Sequence, residues 1–341
     1  MPRRSRNSLW SKTLAANWRK MAKSAGHSTA RVMRSAIKNS TVSSKPAKPG
    51  KTRAPGSGRS VWLAGVAVSA AGVRRYRFFQ PGGVRPTERL PLLVMLHGCG
   101  QDAEALARCS GMNKLAEKRR FLVLYPEQER SANAQNCWNW FGTRSGRAQR
   151  EADSIQAAIK QVAVLYPVDP ARVMVAGLSA GAGMAALMAT RFPTHFRAVA
   201  MHSGIAPGQA HSSATAMMAM QGRRLAAAPL PVGVKLPPLL VIQGSEDRVV
   251  APVNGPYTAQ QWALQREARQ VAPRQVQRGA RYPVRVTDFR AGVRVVVSLC
   301  EVLGLAHAWS GGAAGQPYSD PKGPDAASLI WAFAQKQFAS G

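Results

Sequence analysis

A serine flanked by glycines is the strongest chemical signal in this chain. Ser179 lies in the segment GLSAG (177–181), between an apolar stretch (VMVA) and a run of small residues (AGMAALMA). A G-x-S-x-G motif between a strand and a helix is typical of a nucleophile elbow, a tight turn that holds the serine hydroxyl clear of the sheet. The glycines let the strand and the helix approach closely. The alternative is a strand-to-helix turn whose serine has no chemical role.

A serine hydroxyl is a poor nucleophile unless a base accepts its proton, and histidine is the usual base. His307 lies in a loop that follows the last predicted strand and precedes the last predicted helix. The other histidines lie in the N-terminal region, at strand ends or in surface-like segments: His27, His97, His195, His202 and His211. Position in the chain therefore favours His307 as the base.

The acid that orients this histidine should follow a strand between Ser179 and His307. A predicted strand at 239–243 ends in GSEDRVV, where both Glu246 and Asp247 are eligible. Asp247 is favoured because G-x-x-D at a strand end is the usual placement of the acid; Glu246 has the alternative of an exposed surface carboxylate. Serine, acid and then histidine is the chain order of the α/β-hydrolase fold.

The negative charge that develops during attack on an ester requires two backbone N–H donors. We assign one to Ala180, which directly follows the nucleophile at the start of a helix. The second is assigned to Cys99, in the glycine-rich segment HGCGQ (97–101) that follows an apolar strand. A simple β-turn is the alternative for this segment.

Short apolar stretches alternate with helical stretches from about residue 60 onward. Strands are predicted at 61–71, 75–80, 92–96, 121–125, 173–176, 198–202, 239–243 and 295–300. Helices are predicted at 103–119, 152–165, 182–191 and 326–338. This alternation predicts an α/β fold with a mostly parallel central sheet and helices on both faces, placing all the candidate residues in loops at strand ends.

The N-terminal region has a different composition. The first sixty residues hold 15 of the 47 Lys and Arg, and no acidic residue precedes Glu88. We predict a basic, flexible extension over 1–58 and a catalytic domain over 59–341. A basic amphipathic helix at 9–33 that attaches to a granule, a membrane or nucleic acid is one interpretation of the extension, and a disordered solubilising tail is the other.

Hydropathy, net charge and cysteine spacing limit the classes of protein to which this chain could belong. No apolar run reaches the roughly 18 residues that a membrane-spanning helix requires, and the longest, at 61–71, is interrupted by Gly65. The chain carries a net charge of +31, which favours anionic partners but says nothing about the fold. Its four cysteines form no CxxC pair, and no His/Cys cluster has metal-ligand spacing. We expect no metal site, no transmembrane segment and no export signal.

Four segments together resemble the polyhydroxybutyrate depolymerase-type esterases: HGCGQ (97–101), NCWNWF (136–141), GLSAG (177–181) and HAWSGG (307–312). The resemblance covers about residues 60–338. It implies hydrolysis of 3-hydroxyalkanoate polyester or oligomer bonds through an acyl-enzyme, without a metal or organic cofactor. It also suggests a disulfide between Cys99 and Cys137, which a reducing cytosol would disfavour.

The resemblance further implies where the protein works and what it contacts. The chain ends at Gly341 without a separate substrate-binding domain, as in the intracellular members, so a cytoplasmic, granule-associated protein is expected, with an extracellular one as the alternative. Trp138, Trp140 and Trp309 are candidates for a hydrophobic surface that receives polymer chains, and core packing is their alternative role.

Two rival functions remain open. One is a carbohydrate esterase of the same fold that removes acetyl or feruloyl groups. The other is a granule-binding protein, or less favoured a nucleic-acid-binding one, whose extension is the functional part and whose hydrolase domain is vestigial.

Overall fold

The computed structural model of the protein describes residues 58–223 and 234–339. The predicted extension over 1–58 and its helix at 9–33 lie outside the described residues, apart from Gly58. Within the two described ranges, no helix combines the length and the apolar character that crossing a membrane requires.

Strands and helices alternate through most of this part of the chain. The strands β1 to β13 are Val61–Ser69, Gly72–Gln80, Leu90–Leu96, Leu122–Pro126, Val168–Leu178, Ala198–His202, Leu239–Gly244, Arg269–Gln270, Arg274–Val276, Val284–Ala291, Arg294–Val302, Trp309–Ser310 and Ser319–Asp320. The helices α1 to α7 are Ala103–Ser110, Met112–Arg119, Arg147–Leu165, Ala180–Arg191, Ser213–Met220, Asn254–Gln265 and Ala326–Phe338.

One large sheet organises the domain. Its strand order is β1-β2-β4-β3-β5-β6-β7-β11-β10-β8, and β9 also pairs with β10. The six strands from β4 to β11 in this order are parallel, whereas β1, β2, β8, β9 and β10 add antiparallel margins. A parallel sheet is stable only when both faces are covered, which explains the fully buried strands β3, β4, β6 and β7.

Alternate residues of β3 face opposite sides of the sheet. Leu93 and Met95 belong to the core cluster formed with α1, α2 and α7, which covers one face. Helix α3 packs against β1 and β2, α4 against β5 and β6, and α6 against β7 and β11. The predicted α/β class, with a mostly parallel sheet between helical layers, is confirmed.

The structure differs from the sequence prediction at one helix and in several elements that were not predicted, among them the short strands β8, β9, β12 and β13. The helix predicted at 103–119 is two helices, since Gly111 has a φ of 64° and ends α1 with its N–H on the carbonyl of Ala107. Strand β10 was not predicted; it forms an antiparallel hairpin with β11 that widens the sheet. Helices α5 and α6 were also missed.

Candidate active site

The turn at Ser179 has the geometry of a nucleophile elbow. Ser179 has a φ of 56°, in the left-handed region that non-glycine residues rarely adopt, and it directly precedes α4. A side chain at Gly181 would run into the backbone of Leu96 and His97, and one at Gly177 would run into the backbone of Gly181. The glycines are therefore required because strand and helix touch at this turn.

Asp247 and His307 meet at the carboxyl edge of the sheet. His307 Nδ1 lies 2.8 Å from Asp247 Oδ2, and the backbone N–H groups of Val249 and Val250 donate to Asp247 Oδ1 at 3.0 and 2.8 Å. Burial acts to raise the pKa of this carboxyl, but the bond from His307 and the two backbone donors outweigh it and leave the pKa below its usual value. The neighbouring Glu246 is exposed. Of the two acids that the sequence left eligible, only Asp247 contacts the histidine.

Ser179 and His307 are not hydrogen-bonded to each other in this structure. Among the described residues, no hydrogen bond joins the Ser179 hydroxyl to His307 or to any other side chain. Such contacts are often long in enzymes without substrate and tighten when it binds. The two residues are connected indirectly through His202, whose carbonyl accepts the Ser179 N–H at 2.9 Å and whose Nε2 accepts the Ser310 N–H at 3.1 Å.

The segment 97–101 lies beside the nucleophile. A side chain added at Gly98 would come within 3.6 Å of the Ser179 Cβ. The backbone N–H groups of the two expected oxyanion donors, Cys99 and Ala180, have no hydrogen-bond acceptor within the part of the chain that the structure describes. The described part of the fold therefore does not use either N–H group as a donor.

A disulfide joins this segment to the loop before α3. Cys99 and Cys137 are bonded, with their Cα atoms 4.2 Å apart, which agrees with the pairing suggested by the resemblance. On the other side of Cys99, the N–H of Gly100 donates to the carbonyl of Gln135 at 2.8 Å. Covalent and hydrogen bonds thus tie the expected oxyanion residue to the 133–141 loop.

The side chain of His97 makes two hydrogen bonds that hold the segment 97–101 in place. Its Nε2 lies 3.1 Å from the backbone N of Gln128, and its Nδ1 lies 2.9 Å from the carbonyl oxygen of Gly98. A backbone N–H only donates, so Nε2 accepts and Nδ1 carries the proton. Burial lowers the pKa of His97 to about 4, which keeps the ring neutral. His97 therefore positions the oxyanion segment and is not a second base.

A buried polar network behind this segment was not predicted. Arg74, which is 4% exposed, bonds Gln128 Oε1 at 3.1 Å and Ser154 Oγ at 3.1 Å. Gln128 in turn donates to the carbonyl of Cys137 at 3.1 Å. Burial lowers the pKa of Arg74, and the negative charge of Glu151 opposes that effect. No motif in the sequence marks this network because the partners of Arg74 lie more than fifty residues away in the chain.

The three tryptophans expected to receive substrate are buried. Trp138 and Trp309 are fully buried and Trp140 is 8% exposed. Trp138 packs between the His97 ring, with centroids 5.3 Å apart, and the Arg74 guanidinium, 5.0 Å away. The three indoles therefore do not form an exposed surface for polymer chains.

Trp140 and Trp309 have packing partners instead. Trp140 lies against Gly183 of α4, where a side chain would come within 3.0 Å of the indole, and it meets Phe141 edge to face. Trp309 stacks on His202, with ring centroids 5.3 Å apart. Their effect on the site is to fix the helix that carries Ser179 and the loop that carries His307.

Within residues 58–223 and 234–339, no group of three or more His, Cys, Asp or Glu side chains is arranged to hold a metal ion. The two cysteines outside the disulfide, Cys109 and Cys300, are buried. Burial raises the pKa of the Cys109 thiol to about 11 and that of the Cys300 thiol to about 12. Neither thiol is therefore available as a thiolate ligand or nucleophile at neutral pH.

Part of this chain is similar in sequence to known proteins. Poly(3-hydroxyalkanoate) depolymerase C from Paucimonas lemoignei is 34% identical over 184 residues, covering 50% of this chain and 44% of that protein. An acetylxylan esterase from Coprinopsis cinerea is 35% identical over 133 residues, covering 38% of this chain and 34% of that protein. The chain thus spans less than half the length of these two relatives.

Solved structures share the fold. An acetyl xylan esterase from Aspergillus awamori superposes with a TM-score of 0.58 at 19% identity, covering 73% of this chain and 94% of the other. A fungal esterase from Rhizomucor miehei superposes with a TM-score of 0.54 at 16% identity, covering 84% and 86%. The fold is therefore the α/β-hydrolase fold that the order of the candidate residues predicted.

The family model described as Esterase PHB depolymerase matches residues 74–267, more than half of the chain and a span that includes Ser179, Asp247 and the 97–101 segment. This chain belongs to the PHB depolymerase esterase family.

Proposed function

We propose that the protein hydrolyses carboxylic ester bonds through an acyl-enzyme on Ser179, with His307 as the base and Asp247 as the residue that orients it. The observation that carries this proposal is the Asp247–His307 pair at 2.8 Å, on loops at the same sheet edge as the strained Ser179 turn. Family membership supports the same reaction class.

The proposed reaction follows from these positions. As Ser179 Oγ bonds to the ester carbonyl carbon, its proton passes to His307 Nε2, which is free because Nδ1 faces Asp247. The carbonyl π electrons move to oxygen, and the N–H groups of Cys99 and Ala180 stabilise the resulting oxyanion. When the intermediate collapses, the alcohol leaves with the proton from His307. A water molecule then repeats these steps and releases the acid.

Removing the nucleophile tests this function. We expect Ser179→Ala to reduce kcat on p-nitrophenyl butyrate by about 10⁴-fold or more, because the acyl-enzyme cannot form. The thermal unfolding midpoint should stay close to that of the wild type. Turnover near the wild-type rate in a folded Ser179→Ala protein would exclude the mechanism.

For the substrate, we propose an apolar 3-hydroxyalkanoate polyester or its oligomers. Support comes from the family and from the similarity to the depolymerase of Paucimonas lemoignei, and the match to the acetylxylan esterase from Coprinopsis cinerea favours a second candidate, an acetylated polysaccharide. Native granules, denatured polymer, acetylated xylan and short p-nitrophenyl esters assayed side by side discriminate between them. Release of acetate from xylan without release of hydroxy acid from polymer would favour the second.

The Cys99–Cys137 bond bears on the compartment. Disulfides persist in oxidising compartments and are rare in the cytosol. Of the two expected locations we therefore favour the extracellular one over the cytoplasmic one. Mass spectrometry of protein from its native source, alkylated before lysis, should find the disulfide between Cys99 and Cys137. Alkylation of both thiols would favour the cytoplasmic location instead.

For the basic extension, we propose attachment to an anionic surface such as that of a polymer granule. The support is the composition of the first sixty residues, which hold 15 Lys and Arg and no acid. Nucleic acid, the less favoured anionic partner, is the competing outcome of a binding assay.

A further inference from the structure

His202 lies between the strand that leads to Ser179 and the strand that leads to Asp247. It is the last residue of β6, and its register partners are Leu178 of β5 and Ile242 of β7. Ser179 follows Leu178 directly, and the loop after β7 carries Asp247. Strand β6 thus separates the strand that leads to the nucleophile from the strand that leads to the acid.

The main chain of His202 holds the nucleophile turn. Its carbonyl oxygen accepts the N–H of Ser179 at 2.9 Å. The next residue, Ser203, has a φ of 53° and donates its N–H to the carbonyl of Ile242 at 2.9 Å. A second backbone turn in the left-handed region therefore lies next to the Ser179 turn, and cross-strand bonds fix both.

The side chain of His202 holds the loop of the base. Its Nε2 accepts the N–H of Ser310 at 3.1 Å, and its ring stacks on Trp309, with centroids 5.3 Å apart. These are the second and third residues after His307. The ring is 1% exposed, and its Nδ1 lies 3.2 Å from Ser203 Oγ. Since the Ser310 N–H only donates, Nε2 must keep its lone pair and Nδ1 its proton.

Burial keeps this acceptor in place. Burial, with a smaller contribution from the nearby His307, lowers the pKa of His202 to about 3, so the ring is neutral while His307 acts as a base. A protonated ring at this position would turn a second N–H toward Ser310 and break the contact.

We propose that His202 is a positioning residue that joins the Ser179 turn to the His307 loop, its carbonyl holding the first and its Nε2 holding the second. This inference rests on the proposed function, because the role is to set the separation between nucleophile and base. Misplacement of a reacting group by about 1 Å costs on the order of 100-fold in rate.

Two substitutions distinguish the hydrogen-bond acceptor role of His202 Nε2 from the packing role of its ring. His202→Phe keeps an aromatic ring against Trp309 and removes the acceptor, whereas His202→Gln places an amide oxygen near the position of Nε2. We expect His202→Phe to lower kcat on p-nitrophenyl butyrate by about 100-fold with KM changed less than about twofold. His202→Gln should recover at least about tenfold of that loss. Because a smaller folded fraction would also lower apparent kcat at unchanged KM, kcat is expressed per folded protein, with the folded fraction of each variant measured by thermal unfolding.

His195 provides a matched control. It also stacks on an aromatic ring, that of Phe192, and its Nδ1 also accepts a side-chain hydrogen bond, from Gln156 Nε2 at 2.7 Å. We expect His195→Phe to retain kcat within about twofold of the wild type. Equal kcat values for His202→Phe and the wild type would overturn the proposal, as would His202→Gln behaving like His202→Phe.

Two further outcomes are distinguishable. If His202→Phe does not fold, nitrogen NMR of ¹⁵N-histidine-labelled wild type decides: one imidazole, lost in His202→Gln, should stay an Nδ1–H tautomer throughout the active pH range. An Nε2–H tautomer or a titrating ring would overturn the inference. Absence of Ser179-dependent hydrolysis in the wild type would instead overturn the proposed function and this role with it.

Discussion

At the scale of single residues, Asp247 shows how a buried charge is made tolerable. Its side chain is fully enclosed, and it accepts hydrogen bonds from His307, Val249 and Val250, with Gln243 Nε2 at 3.3 Å. A buried carboxylate without these hydrogen-bond donors would take up a proton and become neutral. The direction of its pKa shift follows from the donors outweighing burial. The carboxylate is thereby fixed in charge and orientation before substrate arrives.

The orientation of these donors predicts the effect of Asp247→Asn. The Val249 and Val250 N–H groups require the amide oxygen at the Oδ1 position, so the amide NH₂ must face His307 Nδ1. Nδ1 would then accept and Nε2 would carry the proton, the wrong tautomer for a base. We expect kcat to fall by about 10³- to 10⁴-fold. Steady-state kinetics checks this, with exposed Glu246→Gln as a control of unchanged activity. A loss below about tenfold would contradict the assigned role.

The same carboxyl predicts a pH dependence of stability. Its pKa is lower in the folded protein than in the unfolded chain, where it is about 3.9. Its stabilising contribution is therefore complete above pH ~4 and is lost as the pH falls through the folded pKa. Urea unfolding of the wild type and Asp247→Asn should show a difference in unfolding free energy that shrinks below pH ~4. A difference that stays constant or grows toward acid would show the opposite sign of shift.

At the scale of elements, the sequence predicted the strands and helices that carry the site and missed those that only extend the fold. Strands β3, β6 and β7 and the C-terminal half of β5 are short apolar runs that are fully buried, which periodicity and turn residues identify. Strand β10 carries two exposed arginines, Arg285 and Arg290, and a buried Asp288, so its sequence lacks the apolar run that marks a buried strand. Helix α6 has Gly255 and Pro256 in its first turn, and these residues are typical of loops.

The Cys99–Cys137 disulfide constrains the loop that it closes, and its contribution to the unfolding free energy can be measured. It closes a loop of 38 residues, and the chain-entropy model assigns such a loop about 4 kcal/mol. We expect reductant to lower the unfolding free energy of the wild type by up to this amount and to reduce kcat, because Cys99 is the proposed oxyanion donor. Cys137→Ser should be insensitive to reductant.

The control for the disulfide is Cys300→Ala, which removes a buried free thiol and should leave the response to reductant intact. Chemical unfolding with and without reductant, with thiol titration to verify reduction, makes the comparison. Equal unfolding free energies in the oxidised and fully reduced wild type would mean that the bond does not constrain the fold.

At the scale of the whole molecule, the order of motifs in the sequence was enough to identify the candidate site. The residues that hold the site in place could not be predicted from the sequence. Ser179, Asp247 and His307 are each marked by local motifs at strand ends, where a parallel sheet gathers them. The supporting contacts of His97, His202 and Arg74 depend on which distant backbone groups lie opposite them. Such contacts follow only from the assembled sheet. Burial of Trp138 and Trp309 was underestimated for the same reason.

The charge of the whole chain leads to the last prediction, on the basic extension. The chain carries +31, and the described acids are engaged in part by arginine, as in the pairs of Glu301 with Arg285 and Asp153 with Arg191. A net positive surface and extension should attract anionic granules over a screening length of about 10 Å at 0.1 M salt and about 3 Å at 1 M. We therefore expect granule co-sedimentation to fall at least about tenfold over that salt range.

Deleting residues 1–58, or replacing every Lys and Arg within them by Gln, should weaken binding to the same extent while kcat on p-nitrophenyl butyrate is unchanged. The Gln variant keeps the length and the apolar residues of the extension, so it separates charge from a general effect of truncation. Duplex DNA, used as a competitor, should displace the protein from granules only at low salt, because its binding is purely electrostatic. Granule binding that survives both variants would place the attachment surface in the hydrolase domain.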